Sequence, residues 1–282
     1  MGAFCLPFVV KLSFDFIAFR CYYDSAMRYY VVADPHGFYT ELIDALKDKG
    51  YFDDTSPHKL IICGDLMDRG KEALKMQQFV LDLMDKDMVI LVRGNHEDLM
   101  LALLDHWAER SYELRPHVLN GTVDSVLQLA GESGITEENC DKVLNAAKSS
   151  PFVTTIIPRT IDYFETEHYI FVHGWIPCSR VQLDDTKYLN TKIEDWRHAT
   201  PDEWWEARWI NGMDAWVQGA GEQGKTIVCG HYHASYGHAN IEHKGSESEK
   251  DADFTPFVAD GIMAIDACTA FSGMVNVVVI DD

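Results

Sequence analysis

The chain has 282 residues, 47% of them hydrophobic, with 45 acidic against 24 basic residues and a formal net charge of −21 at pH 7. That length and apolar share suffice for a sizeable buried core. The acidic balance argues against binding duplex nucleic acid or an anionic membrane, so a phosphate-bearing substrate would need local cations or metal to hold it.

Residues 1–26 are apolar and aromatic, but they lack a basic start and are interrupted by Lys11 and Asp15. Neither a signal peptide nor a membrane span is expected there, and the stretch reads as an N-terminal extension before a single domain over residues 27–282. Arg28 to Ala33 predicts a strand, with a helix after it carrying Phe38, Leu42 and Leu46. Leu60 to Cys63 and Met88 to Val92 predict two more strands, each followed by a helix with one apolar face. Three such β-then-α units indicate an α/β fold with a largely parallel sheet. Thr122 to Ser149 reads as helical, and Thr160 to Thr166 with His168 to Val172 as a hairpin. Strands return at Lys225 to Cys229, Ile262 to Asp266 and Met274 to Ile280, separated by a Trp-rich helical stretch (Pro201 to Val217) and an acidic surface loop (Glu242 to Asp253). The seven cysteines contain no CxxC pair, which fits a reducing, cytoplasmic setting.

Polar residues collect where these strands end. Asp34-Pro35-His36-Gly37 follows the first, Gly64-Asp65-Leu66-Met67-Asp68-Arg69-Gly70 the second and Arg93-Gly94-Asn95-His96-Glu97 the third; His173-Gly174 and Gly230-His231 end two later strands. DPHG or His-Gly alone reads as an ordinary turn, whereas the five fixed residues of GDxxDRG rarely arise by chance. In an α/β sheet, however, the carboxyl ends of strands line the ligand crevice, so the five clusters converge although they are far apart in sequence. Together they offer carboxylates, imidazoles and a carboxamide, a donor set suited to Mn²⁺, Fe or Zn²⁺, and a carboxylate is the type that bridges two ions.

The motifs DPHG, GDLMDRG and GNHE, followed by HG and GH, resemble the phosphoprotein phosphatase family within the calcineurin-like metallophosphoesterases. The likeness is to the bacterial and bacteriophage lambda-type serine/threonine phosphatases, over Met27 to Asp282. It implies a four-layer α+β architecture, a central β-sandwich flanked by helices, and two divalent metal ions, Mn²⁺ foremost with Fe or Zn²⁺ as alternatives. It places Asp34, His36 and Asp65 on the first ion, with Asp65 bridging, and Asn95, His173 and His231 on the second. A hydroxide activated by both ions would attack phosphorus in line, without a phosphoenzyme. His96 would protonate the leaving oxygen, Asp68 would hold that imidazole, and Arg69 and Arg93 would clamp the phosphate. Glu97 is expected to tether its loop.

Some positions depart from the family pattern. Ala33 stands where Gly is usual. Glu206 to Met213 reads EARWINGM, with Asn211 where the lambda-type enzymes carry a third phosphate-binding arginine and Arg208 as a substitute. His233, two residues after His231, reaches the same side of an extended backbone and is left open as a seventh ligand. The cluster Trp196, Trp204, Trp205, Trp209 and Trp216 reads as helix core, with stacking on a nucleobase as the alternative.

The resemblance thus implies a metal-dependent phosphoesterase acting on phosphomonoesters, serine/threonine-protein-phosphatase-like, with a phosphoprotein or small phosphoester as substrate. Hydrolysis of a dinucleoside polyphosphate such as diadenosine tetraphosphate is the enzymatic alternative. A non-catalytic phosphate-binding or scaffold protein is the alternative of another class.

Overall fold

The computed structural model describes residues 27–107, 109, 113–184 and 187–282. The N-terminal extension expected at residues 1–26 lies outside the described residues.

In chain order the elements begin with β1 (Arg28–Val32), α1 (Tyr39–Asp48), β2 (His58–Cys63), α2 (Ala73–Asp85), β3 (Val89–Val92) and α3 (Asn95–His106). Three further helices follow, α4 (Arg115–Leu119), α5 (Thr122–Ala130) and α6 (Cys140–Lys148). Then come β4 (Phe164–Glu165), β5 (Tyr169–Phe171), β6 (Cys178–Gln182), β7 (Tyr188–Lys192), α7 (Pro201–Ala207), α8 (Gly212–Val217) and β8 (Thr226–Cys229). The chain closes with α9 (Ala234–Tyr236), β9 (Phe257–Ala259), β10 (Ile262–Ala264), α10 (Thr269–Ser272) and β11 (Val278–Asp281).

One sheet has the order β11-β1-β2-β3, with the last three parallel and β11 antiparallel on β1. A second has the order β4-β5-β8-β10-β9, with a parallel centre and antiparallel edges. The alternation of side chains along β1 explains how they pack. Tyr29, Val31 and Ala33 point into the space between the sheets, where they meet Phe171, Val228 and Ile265, while Tyr30 and Val32 point to the helices on the outer face. Those helices contribute Leu42 and Leu46 from α1, Met76 and Val80 from α2, and Met100 and Leu103 from α3. The second sheet is covered on its outer face by Trp196, Trp204, Ala207 and Met213, packed on Ile170, Val172 and Ile227. The result is the expected four-layer α+β architecture, a β-sandwich flanked by helices. Each fully buried aliphatic side chain contributes about 1.5–3 kcal/mol.

The expected hairpin is present but short, with Phe164 opposite Phe171. Ile161 instead bridges to Val92 at the end of β3, so the start of that segment ties the two sheets together. The antiparallel ribbon β6–β7 was not foreseen: CSRVQ and YLNTK are largely polar and show no buried stripe.

Candidate metal centre

All five polar clusters lie at the carboxyl ends of parallel strands, three from one sheet and two from the other. The backbone that carries them is strained. Asp34, His36, Asp65, Asp68, Arg69 and His231 all have positive φ, between 45° and 77°, a region that side-chain-bearing residues rarely adopt. Buried tethers maintain those turns. The Asp34 carboxylate accepts the backbone N–H of His231 (2.9 Å), and the Asp65 carboxylate accepts that of His96 (2.9 Å). Glu97 accepts three backbone N–H groups, those of Asp65, Leu66 and Gly94, at 2.8–3.1 Å. Its carboxyl is pushed up to about 7 by burial and by Asp65, opposed by those hydrogen bonds. Two glycines admit no side chain here, because a Cβ at Gly94 would strike the Asp65 carboxylate and one at Gly230 the Asp34 carboxylate.

The donor atoms form two groups that share Asp65: His36, Asp65 and His96 in one, Asp65, His173 and His231 in the other. Their hydrogen bonds assign the tautomers. His36 Nδ1 lies 2.9 Å from the Met67 carbonyl and His173 Nδ1 lies 2.8 Å from the Cys63 carbonyl, so each Nδ1 carries the proton and each Nε2 presents a lone pair. His173 Nε2 is 2.7 Å from the Asn95 side-chain oxygen, itself 3.0 Å from His231 Nδ1. Two acceptors at such a separation repel unless a cation is shared between them, and ligand atoms around one ion stand about 3 Å apart. Asp34 Oδ1 is buried with no hydrogen-bond partner among the described residues.

The charge states agree with ligation. Burial lowers His36 and His173 and brings His231 down to about 3, leaving neutral imidazoles, the form that binds metal. Burial raises Asp34, and the neighbouring Asp266 and Asp65 carboxylates raise it further, a crowding of negative charge that divalent cations relieve. The residues present therefore fit a pair of metal ions.

A sequence profile of the calcineurin-like phosphoesterases matches residues 27–262. The chain belongs to the calcineurin-like phosphoesterase family. Among curated relatives, an asymmetrical bis(5'-nucleosyl)-tetraphosphatase of Bacillus velezensis is 37% identical over 76 residues, 25% of this chain and 30% of the relative. A symmetrical bis(5'-nucleosyl)-tetraphosphatase of Nitrosospira multiformis is 39% identical over 85 residues, 30% of each chain. The match thus spans only about a third of the length of these relatives. A solved point mutant of a cold-active protein tyrosine phosphatase shares the fold, with a TM-score of 0.50 and 15% identity over 92% of this chain and 77% of that one.

Within this calcineurin-like site the remaining expected residues are placed as follows. His96 Nδ1 lies 2.6 Å from Asp68 Oδ2, which also accepts the Thr122 hydroxyl at 2.7 Å. Burial works to lower His96, yet the Asp65 and Asp68 carboxylates outweigh it and the imidazole is raised above its ordinary value. It therefore tends to keep its proton, unlike the three neutral histidines. Arg69 points into the centre, Nη1 2.5 Å from His36 Nε2 and Nη2 3.4 Å from His96 Nε2.

Arg93 is differently engaged. Its guanidinium is paired with Asp98 at 2.6 Å, and Asp98 also pairs with Arg208 at 2.7 Å. Arg208 is buried and reaches Asp162 as well, so it is locked in an ion-pair network. Asn211 caps α8, its side-chain oxygen accepting the N–H groups of Met213 and Asp214. His233 belongs to neither donor group: its ring lies 2.9 Å from Ser235 Oγ and 3.5 Å from Glu247, which ties it to the acidic loop.

Sequence reasoning missed Thr122 and the buried Asp266. The first follows the Leu119-Asn120-Gly121 stretch, where a Cβ at Gly121 would strike the Arg69 backbone. The second follows β10 by two residues, as Asp34 and Asp65 follow their strands.

Proposed function

We propose that this chain is a metal-dependent hydrolase of phosphate esters and anhydrides. The observation that carries the reading is the sharing of the buried Asp65 by two convergent donor groups. Asp34, His36 and Asp65 would hold one divalent cation and Asp65, Asn95, His173 and His231 the other, with Mn²⁺ the first to test. Such ions supply positive charge against the phosphoryl oxygens and make water acidic enough to attack at neutral pH.

The chain's own groups do the rest. Arg69 binds a phosphoryl oxygen through its planar guanidinium, and Arg93 assists from the rim. His96 gives its Nε2 proton to the leaving oxygen, while Asp68 and Thr122 hold the ring in register. No side chain is required to become phosphorylated.

Dinucleoside polyphosphates are the substrate class that the names of the curated relatives favour. The phosphoprotein reading is supported by the motif resemblance alone. The test is the full chain reconstituted with Mn²⁺ and assayed in parallel on p-nitrophenyl phosphate, a phosphothreonine peptide, bis-p-nitrophenyl phosphate and diadenosine tetraphosphate. Preferential cleavage of the last supports the reading, preference for the phosphopeptide replaces the substrate class, and no turnover on any of them sinks the hydrolase.

A further inference from the structure

Beside the metal centre lies a cavity of about 470 Å³, well within the range that holds a small organic ligand. Its wall adjoins the second donor group: the Trp209 ring centre is 5.9 Å from that of His231, and the Tyr232 ring centre 6.4 Å from it. Trp209, Tyr232, Tyr236 and Tyr188 all line the cavity. Tyr188 comes from the ribbon β6–β7, and the Arg180 guanidinium of the same ribbon lies 4.2 Å above its ring.

The polar groups there are unusual for this chain. In a chain with 45 acidic residues and a net charge of −21, Arg180 and Lys187 on the cavity wall nevertheless have no carboxylate partner among the described residues. Arg180 Nε, Asn190 Oδ1 and Trp209 Nε1 are buried and lack hydrogen-bond partners among the described residues. Asn211, its oxygen committed to capping α8, retains its amino group as a donor beside them. A phenyl ring would satisfy the aromatic walls but leave these groups unanswered, whereas a nucleobase brings a π-face together with donors and acceptors on its edge.

We infer that this cavity is the subsite for the nucleobase of the substrate, with Tyr188, Trp209 and Tyr232 as stacking surfaces and Arg180, Asn190 and Asn211 addressing the polar edge. The inference rests on the phosphohydrolase reading, since it is the neighbouring site that would take the phosphate.

Calorimetric titration of the full chain without added metal, using adenosine, ribose and N-acetyltyrosine amide, tests it. Adenosine is expected to bind at least about tenfold more tightly than either of the others. Tyr188→Ala and Arg180→Ala should each weaken adenosine about tenfold, and Tyr188→Phe, which keeps the ring, should restore it. Equal binding of adenosine and ribose, tighter binding of the tyrosine amide, or full adenosine affinity in both alanine variants would overturn the assignment. Hydrolysis of p-nitrophenyl phosphate by the same preparation with Mn²⁺ is scored separately. Turnover without adenosine preference sinks only the subsite; adenosine preference without turnover on any phosphoester sinks only the hydrolase.

Discussion

His96 and Asp68 form a buried pair, Nδ1 to Oδ2 at 2.6 Å, and the His96 ring also stands among the donor atoms gathered around Asp65 and His36. The pairing aims Nε2 at the centre and favours the protonated ring. Replacing His96 with Asn should leave metal content unchanged and lower turnover by about 10²–10⁴-fold for a poor leaving group such as phenol, and by much less for p-nitrophenol. Asp68→Asn should give a smaller loss with the same dependence on leaving group. The check is kcat on a series of aryl phosphates; an equal loss across the series removes His96 from proton donation.

Asp65 and His233 should separate cleanly in a metal assay. Asp65→Asn is expected to abolish binding of both cations, because both donor groups depend on it. His233→Ala should leave metal stoichiometry and turnover as they are, because its ring is committed to Ser235 and Glu247. Elemental analysis of the purified variants decides; loss of an ion in His233→Ala would make that histidine a ligand.

The two arginines should differ in weight. Arg69 faces the centre without a carboxylate partner among the described residues, whereas Arg93 is paired with Asp98. Arg69→Ala should raise KM for a phosphate ester about 10–100-fold, the scale of a charge-assisted hydrogen bond, and Arg93→Ala should raise it less. Steady-state kinetics on p-nitrophenyl phosphate measures both, and a larger effect at Arg93 would show that its pair with Asp98 opens for substrate.

Acid stability should depend on Glu165, on β4 and paired with Arg197 (2.7 Å) and Lys225 (2.8 Å). Its hydrogen bonds with Arg197, opposed by partial burial, bring the carboxyl from 4.5 down to about 2. A carboxyl depressed in the folded state stabilises above its unfolded value and loses that contribution as pH falls. Wild type should therefore melt above Glu165→Gln by a constant margin at pH 6–7, and the margin should shrink between about pH 4.5 and 2. Thermal melts across that range check it; a constant gap down to pH 2 refutes it.

Much of the site was legible because its chemistry is local: each expected ligand follows a short apolar strand by two to four residues, beside a glycine that allows close approach. The elements read from periodicity were those with an apolar stripe, such as β1, α2 and α3. The ribbon β6–β7 was not legible, since it stands on the surface and its residues alternate around no buried face. Trp196 and Trp204 proved to be core, while Trp209 lines the cavity, a division that helical spacing did not distinguish.

The sequence by itself determined an α/β class with parallel strands, the donor types and the order in which the strands deliver them, because apolar alternation and strand-end turns are set by neighbouring residues; the four-layer sandwich was implied by the motif resemblance. The tertiary structure alone decided that His233 turns to the acidic loop, that Asn211 caps a helix and that Arg93 and Arg208 meet on Asp98. Those outcomes depend on which side chains from distant segments compete for one buried partner, and that competition is settled only when the sheets have packed.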